Sequence, residues 1–248
     1  MTRSQANLLL LAVAIVWGSA FVAQAHGMDG VEPFTFTGIR FLLGVCIVAP
    51  LAWRDWRSIS RREVPPGRRD LLGVVLLGLL LTLGAVFQQI GLVTTTVTNA
   101  GFLTALYVPL VPFLSWLILR LKPHWSVWPN SIGCLVGTWM LSGAGNLNLG
   151  IGDAWVIASS LFWALHVLFV GKIADRISAP FLVACGQFFV CGVACLFWGA
   201  LTETITLAYL GASADGAADA VTLLANQFAT LASAPAALYA KPNGATNA

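Results

Sequence analysis

Apolar segments of roughly 20 residues follow one another from about residue 7 to residue 202, separated by short polar stretches. About 20 apolar residues in helical form are enough to cross the hydrocarbon core of a bilayer. Because lipid offers the backbone no hydrogen-bond partners, such segments predict helices, and the alternation typical of barrel strands is absent. The pattern predicts seven spans, at residues 7–25, 33–53, 71–93, 99–119, 128–146, 153–171 and 180–201. Pro109 and Pro112 are expected to kink the fourth span.

The composition favours a membrane protein over a soluble domain. Hydrophobic residues make up 58% of the 248 residues and charged residues 9%, whereas soluble domains are about a quarter charged. We therefore predict an all-α polytopic membrane protein whose surroundings are the lipid bilayer of the cell membrane. The net charge of +3 comes from loop residues and does not indicate nucleic-acid binding. The five cysteines lie in apolar segments without metal-ligand spacing, so no metal site is predicted.

Basic residues fall in alternate loops of this pattern. The loops after the second, fourth and sixth spans contain lysine and arginine, whereas the loops between them contain only acidic or neutral residues. Cytoplasmic loops are enriched in basic residues, so we predict that the N-terminus and the basic loops are cytoplasmic. The basic residues concerned are Arg54, Arg57, Arg61, Arg62, Arg68, Arg69, Arg120, Lys122, Lys172 and Arg176.

Both ends of the chain need separate interpretation. Arg3, the apolar run after it and the Ala-Gln-Ala sequence at residues 23–25 resemble a cleavable signal peptide. Because further spans follow, we predict an uncleaved first helix. From about Leu207 the sequence is rich in Ala, Gly, Ser, Asp and Asn. Residues 217–240 make at best a marginal eighth span, because Asp219 alone costs about 2.5–3.5 kcal/mol at a helix centre.

Two pairs of spans resemble each other at a nearly constant spacing, which indicates an internal repeat. Because the starts of the two copies are five spans apart, an odd number, the second copy would enter the membrane from the opposite side. Inverted repeats are typical of secondary transporters, whose solute site lies near the midplane between the repeats. We predict a complete first copy at 7–146, a partial second copy at 152–206 and an atypical tail at 207–248. The matched pairs are Pro33 with Pro180, Phe34 with Phe181 and Arg40 with Gln187, each 147 positions apart, and Trp17 with Trp163, 146 apart.

Short motifs in the first four spans point to a known family. The first span contains Trp-Gly-Ser-Ala-Phe at residues 17–21, and the second contains Arg40-Phe41. A run from Gln89 through residues 99–103, Asn-Ala-Gly-Phe-Leu, continues to Pro109 and Pro112. Together they resemble the drug/metabolite transporter superfamily, specifically its EamA-type members. The resemblance implies ten helices in two EamA repeats, both termini inside, and transport of metabolites, amino acids or drugs, commonly outward.

Two features depart from that family's pattern. Many members carry Leu-Gly-Glu after the fourth helix, where this chain has Leu119-Arg120-Leu121. Helices 8–10 are not recognisable, as expected of a frameshift or truncation near residue 207.

Two functions therefore remain open. One is a secondary-active transporter that exports small organic metabolites or drugs by alternating access. The other is a truncated, non-transporting membrane protein or a structural partner of a complete homologue.

Arg40 is the full charge that lies well inside a predicted span, about 10 Å from its outer end. An ionisable group at this depth indicates a functional site. It could bind an anionic group of a solute or pair with a carboxylate, or it could snorkel towards the interface. Gln187, its counterpart in the second copy, is expected to line the same cavity.

Other polar and aromatic residues are candidates for the same cavity. Gln89 and Asn99 could bond a solute or a neighbouring helix, and Asn99 could equally cap the fourth span. His166 could relay protons in a proton- or ion-coupled carrier, or pack as a hydrogen-bonded histidine. Aromatic rings would bind the organic part of a solute. The predicted substrate-binding set is Arg40, Gln187, Gln89, Asn99, Trp17, Trp163, Tyr107 and His166.

The remaining patterns are weaker. Gly133 and Gly137 form a GxxxG pattern, which permits close helix packing within the chain or in a homodimer. The sequence contains no GxSxG, HExxH, Walker or paired-carboxylate pattern, so neither an enzyme nor a cofactor is predicted.

Overall fold

The computed structural model describes residues 3–28, 31–61, 66–141 and 149–203, and all regular structure in these residues is helical. This confirms the predicted all-α fold. The end of the fifth predicted span and the marginal span at 217–240 lie outside the described residues. The helices, numbered in chain order, are α1 (Arg3–Gly27), α2 (Pro33–Ile59), α3 (Arg68–Thr94), α4 (Val97–Thr104), α5 (Tyr107–Leu119), α6 (Val127–Leu141), α7 (Ile151–Ile177) and α8 (Pro180–Thr202).

Five of these helical stretches are long and apolar enough to cross a membrane, with α4 and α5 together making one of them. Within α1 the apolar stretch Leu11–Gly27 is shorter, and the 15 residues of α6 make about 22 Å of helix. Large apolar side chains, such as Leu11, Leu72 and Phe197, are exposed on the outside of the bundle. A bilayer covers such side chains, so the protein is a multi-pass membrane protein.

Two helices extend further than their apolar runs suggest. The sequence pattern ends the second span at residue 53 and the sixth at residue 171, yet α2 continues to Ile59 and α7 to Ile177. Ile59 is fully buried and shares a core cluster with Ile177, Leu77 and Val183. The charged residues that interrupt the apolar pattern therefore belong to helix ends that pack together outside the hydrocarbon core.

The fourth span is broken rather than kinked at its prolines. α4 ends at Thr104, and α5 begins at Tyr107 after the turn at Ala105 and Leu106. A proline cannot donate to the carbonyl four residues earlier and its ring collides with that carbonyl. For Pro109 that carbonyl belongs to Ala105, which instead accepts a 3.0 Å bond from Val108 N. The break therefore lies one turn before Pro109.

Two antiparallel helix pairs, α2 with α8 and α3 with α7, form the centre of the bundle. Glycines allow each pair to approach closely. A Cβ on Gly38 of α2 would lie 2.6 Å from Leu196 Cγ on α8. A Cβ on Gly91 of α3 would lie 2.7 Å from the carbonyl oxygen of Gly152 on α7. Close contact of this kind is the main source of helix association in lipid, where apolar burial alone gives little.

Carboxylates connect both ends of the α2–α8 pair. Glu203, just after α8, accepts 2.7 Å bonds from the backbone N–H groups of Phe34 and Thr35 in the first turn of α2. The hydroxyl of Thr35 donates to the same carboxylate at 2.7 Å. At the opposite end, Asp55 of α2 accepts from the N–H groups of Phe181 (2.8 Å) and Leu182 (3.2 Å) in the first turn of α8. Each helix thus supplies the cap of the other.

The α3–α7 pair is also joined by polar contacts at each end. Arg176 Nε lies 2.7 Å from Asp70 Oδ1 where α3 begins and α7 ends. Where α3 ends and α7 begins, Asp153 accepts from the hydroxyl of Thr95. Of the described residues, Arg61, Arg120 and Arg176 lie at one end of the bundle, the basic end, and Glu32, Asp153 and Glu203 lie at the other, the acidic end.

Candidate functional site

Arg40 is a buried cation on α2, and 7% of its surface is exposed. Its Nη1 donates to Oε1 of Gln24 on α1, and its Nε has no partner. The guanidinium carbon lies 5.1 Å from the ring centroid of Phe41 and 5.7 Å from that of Phe36. Among the described residues the one ion pair is between Arg176 and Asp70, so no described carboxylate neutralises Arg40. The arginine does not snorkel out of the bundle, and within the described residues no ion pair offsets its charge.

Gln24 is a member of this site that the sequence interpretation misses. The amide is 4% exposed, and its Nε2 donates to the carbonyl of Ala20 at 3.1 Å, which leaves Oε1 directed at Arg40. In the sequence, Gln24 stands within the Ala-Gln-Ala tripeptide that resembles a cleavage site. Gln24 could have been identified from the sequence as a polar residue in the last turns of an apolar helix.

A second polar cluster lies between α7 and α8. His166 Nε2 is 2.7 Å from Oε1 of Gln187, and both side chains are buried. The imidazole ring meets the indole of Trp163 edge to face, with 6.1 Å between ring centroids. The indole also packs on α3, since a Cβ on Gly84 would lie 3.3 Å from it. The structure therefore brings together three of the predicted site residues in one cluster.

Buried polar atoms without a partner occur on the facing helices α3 and α7. Gln89 on α3 is completely buried, and neither Oε1 nor Nε2 of its amide has a hydrogen-bond partner. The indole Nε1 of Trp163 is also buried and unpartnered. The neighbouring Gln88 differs, because its amide donates to the hydroxyl of Thr104 at 2.8 Å and so joins α3 to α4. Buried amides are nearly always bonded, so Gln89 and Trp163 offer hydrogen bonds to water or to a ligand.

The two predicted counterparts, Arg40 and Gln187, lie at different depths in the bundle. Gly192 packs against α2 at the level of Arg40, since a Cβ on Gly192 would lie 3.2 Å from the carbonyl oxygen of Gly38 and 2.7 Å from Leu42 Cγ. Gln187 is five residues from Gly192 on α8, a rise of about 8 Å towards the basic end. The site therefore has an upper part at Arg40 and Gln24 and a lower part at Gln187 and His166.

Of the other predicted residues, Trp17 and Tyr107 lie about halfway along their membrane spans, and Asn99 lies near the acidic end. Trp17 of α1 and Tyr107 of α5 form an aromatic pair, with ring centroids 5.7 Å apart. Asn99 donates from Nδ2 to Asp153 Oδ1 at 3.4 Å and so links α4 to α7. Asn99 does not cap α4; Thr96 does, through its hydroxyl oxygen, which accepts from Asn99 N at 3.1 Å.

This arrangement can bind a solute through charge, hydrogen bonds and aromatic surface. It offers one unpaired cation, a free amide and a free indole N–H, together with apolar walls from α2, α3 and α8. Within the described ranges there is no group of three His, Cys, Asp or Glu side chains that could hold a metal ion.

Three comparisons place the chain among known proteins. Residues 4–143 match the EamA-like transporter family. Over 187 residues the chain is 31% identical to an uncharacterized transporter of Archaeoglobus fulgidus, covering 75% of this chain and 55% of that protein. Over 172 residues it is 29% identical to the uncharacterized inner membrane transporter YedA of Escherichia coli K12, covering 66% of this chain and 52% of YedA. The chain thus spans about half the length of these curated relatives.

The fold also resembles a solved structure. The match to that crystal structure has a TM-score of 0.67 at 19% sequence identity, and it covers 95% of this chain and 80% of the other. A likeness at this identity concerns the fold alone. The family match, in contrast, extends over more than half of the chain and includes the residues of α1 to α6. The chain belongs to the EamA-like transporter family.

Proposed function

We propose that this protein is a secondary-active transporter that exports small organic solutes carrying an anionic group. The observation that carries the proposal is Arg40, a buried guanidinium with no carboxylate of the described residues in ion-pair range. Removing a charge from water costs several kcal/mol unless a partner compensates. A cation held in this way by one amide, Gln24, is expected to bind an anionic group of a solute.

Hydrogen bonds and aromatic rings would complete the recognition of the solute. The free amide of Gln89 and the free indole N–H of Trp163 provide three N–H donors and one acceptor oxygen beyond the charge of Arg40. The rings of Trp17 and Tyr107 provide aromatic surface between α1 and α5. A solute with one anionic group, additional polar atoms and an organic body, such as an acidic metabolite, fits these features best.

Transport would proceed by alternating access between two inverted repeats, the complete one at residues 7–146 and the partial one at residues 152–206. The caps of α2 and α8 support this proposal. The N–H groups that Glu203 binds belong to Phe34 and Thr35, and those that Asp55 binds belong to Phe181 and Leu182, 147 positions later. A two-fold axis between α2 and α8 would exchange the two helices and also their capping carboxylates, as the symmetry of an inverted repeat requires.

The orientation follows from the charges at the two ends of the bundle. The described arginine and lysine residues of the loops lie at the basic end, and Glu32, Asp153 and Glu203 lie at the acidic end. We place the basic end and the N-terminus in the cytoplasm. An outward path would then run from the level of Gln187 past Arg40 towards the acidic end.

Coupling to protons would involve His166. Its imidazole is buried between Trp163 and Gln187, in the lower part of the site. A histidine there could gain or lose a proton as access changes from one side to the other.

The GxxxG face of α6 would serve a homodimer, since a Cβ on Gly133 or Gly137 would meet nothing within 4 Å.

Solute binding by the purified protein tests the role of Arg40. The melting temperature would be measured in detergent with a panel of organic solutes that differ only in carrying a carboxylate or its uncharged amide. Carboxylates should stabilise the wild type and should fail to stabilise Arg40→Gln. Arg57→Gln is the matched control, because Arg57 lies on the same helix but is exposed and packs over the ring of Trp53 at 5.3 Å. Equal stabilisation of wild type and Arg40→Gln by carboxylates would refute the proposed role.

A further inference from the structure

A cavity of about 470 Å³ lies at the basic end, away from Arg40. It lies between the end of α2, the start of α3, the end of α7 and the start of α8. This volume is in the range of about 300–1,000 Å³ that is typical of small-molecule sites. Its residues are separate from those of the proposed solute site.

The walls of the cavity are apolar and reach the outer surface of the bundle. Val74 of α3 and Leu182 of α8 are half-buried, whereas Leu71 of α3 is 66% exposed and Trp56 of α2 is 49% exposed. Tryptophan side chains prefer the interface between hydrocarbon and headgroups. The position of Trp56, next to the charged residues of the basic end, places the mouth of the cavity at headgroup level.

The mouth also carries a positive charge that pairs with no described carboxylate. Arg68, in the first turn of α3, lines the cavity and has no ion-pair partner in the described part of the chain. Asp70 lines it as well, but the carboxylate bonds the backbone N–H of Gly67 at 2.8 Å and pairs with Arg176 at 2.7 Å. The N–H dipoles in the first turn of α3 add positive potential, whereas those of Phe181 and Leu182 at the start of α8 are already capped by the carboxylate of Asp55. The mouth therefore favours an anion.

We propose that this cavity binds an anionic phospholipid from the leaflet that surrounds the basic end. Its phosphate would interact with the guanidinium of Arg68, and an acyl chain would lie along Leu71, Val74 and Leu182. A basic pocket with apolar walls at headgroup level matches an anionic headgroup and its chain together. The bound lipid would contact all four helices where they converge. The inference depends on membrane insertion but not on the transported solute.

Lipid binding to the purified full-length chain tests this proposal directly. After delipidation in detergent, phosphatidylglycerol and phosphatidylcholine with identical acyl chains would be titrated, and bound lipid per chain counted by native mass spectrometry. The wild type should bind one phosphatidylglycerol about fivefold more tightly than phosphatidylcholine, as expected for one arginine at the surface of a charged headgroup. Equal affinity of the wild type for the two lipids would by itself overturn the proposal.

Two arginines of the same helix turn supply the matched comparison. Arg68→Gln should lose the preference of about fivefold, whereas Arg69→Gln, at an exposed residue outside the cavity, should keep it. Leu71→Trp, which narrows the cavity from an exposed position, should weaken binding of both lipids. If Arg69→Gln lost as much preference as Arg68→Gln, or if Arg68→Gln kept it, the cavity would not be the site. None of these measurements involves a transported solute, so they succeed or fail separately from the proposed function.

Discussion

The carboxylates of Asp55 and Glu203 hold opposite ends of the antiparallel pair α2 and α8. Asp55, near the end of α2, bonds the first turn of α8, and Glu203, just after α8, bonds the first turn of α2. The contacts join residues that are 126 and 169 positions apart in the chain. A carboxylate at a helix N-terminus satisfies unpaired N–H groups and interacts favourably with the helix dipole. The α2–α8 pair is therefore fastened at both membrane surfaces.

Removing either carboxylate cap should lower the free energy of unfolding. Asp55→Ala and Glu203→Ala are each expected to cost about 1–2 kcal/mol, because two backbone donors lose a charged acceptor. Denaturant unfolding in detergent, followed by circular dichroism, measures this cost. Glu32→Ala is the control, since Glu32 stands at the N-cap of α2 but its side chain makes no cap bond. A loss as large in Glu32→Ala would contradict the assignment of the cap to Glu203.

Gln24 should act as a positioning residue for Arg40. Gln24→Ala removes the bond to Nη1 of Arg40 but leaves its charge in place. A bond to a buried charged group contributes about 1.5–3 kcal/mol, so solute affinity should fall about tenfold or more. Titration calorimetry with an acidic solute measures the change.

A double-variant comparison separates positioning by Gln24 from a purely structural role. In an Arg40→Gln background, Gln24→Ala should have little further effect on solute affinity, because the two residues act through the same contact. If the two variants reduced affinity independently, Gln24 would not act through Arg40.

The contact between His166 and Gln187 should stabilise the packing of α7 on α8. Gln187→Leu leaves the buried imidazole without this partner and is expected to cost about 1–3 kcal/mol of unfolding free energy. His166→Phe should cost more than His26→Phe, because His26 is exposed and contacts only the carbonyl of Val22 in its own helix. Thermal unfolding in detergent compares the three variants. Equal melting temperatures for the two histidine variants would show that the buried contact contributes nothing.

Glycine substitutions should distinguish packed helix faces from open ones. A Cβ on Gly152 would lie 2.7 Å from the carbonyl oxygen of Gly91 and 2.9 Å from Thr95 N, and backbone atoms cannot move aside easily. Gly152→Ala should therefore destabilise the fold by about 1–3 kcal/mol.

Gly137→Ala is the matched substitution on an open helix face. Because a Cβ there meets nothing within 4 Å, it should stabilise α6 by about 0.5–1 kcal/mol. Melting temperature and mass by light scattering would be compared for both glycine variants. Strong destabilisation of Gly137→Ala would contradict the open face, and a loss of dimer would assign that face to a homodimer.

The number and approximate positions of the helices could be predicted from the sequence, because a helix needs about 20 apolar residues to cross the bilayer. Helix ends were less predictable, since α2 continues through Arg54 and Asp55 to Ile59, where burial against Leu77 decides the end. The charges of the loop residues predict which side of the membrane each loop faces, but they do not predict which residues a charged side chain contacts. Asp55 and Glu203 are therefore unremarkable in the sequence, although each bonds a helix more than 100 residues away.

The candidate site was predictable to a different degree for each residue. Arg40 stands out because a full charge inside a span is rare and costly. Gln24 does not, because a single amide in an apolar helix can bond its own backbone. The pairing of His166 with Gln187 depends on the rotation of two helices, which spacing along one chain does not specify. Sequence separation also cannot show that Arg40 and Gln187 lie about 8 Å apart in depth.

Counterflow in proteoliposomes tests the central claim, that Arg40 binds the transported solute, most directly. Vesicles loaded with an unlabelled acidic solute would be assayed for uptake of the labelled solute by wild type, Arg40→Ala and Arg57→Ala at equal protein content. The wild type and Arg57→Ala should exchange the solute, and Arg40→Ala should abolish exchange although it inserts normally. Exchange by Arg40→Ala at the wild-type rate would contradict the account.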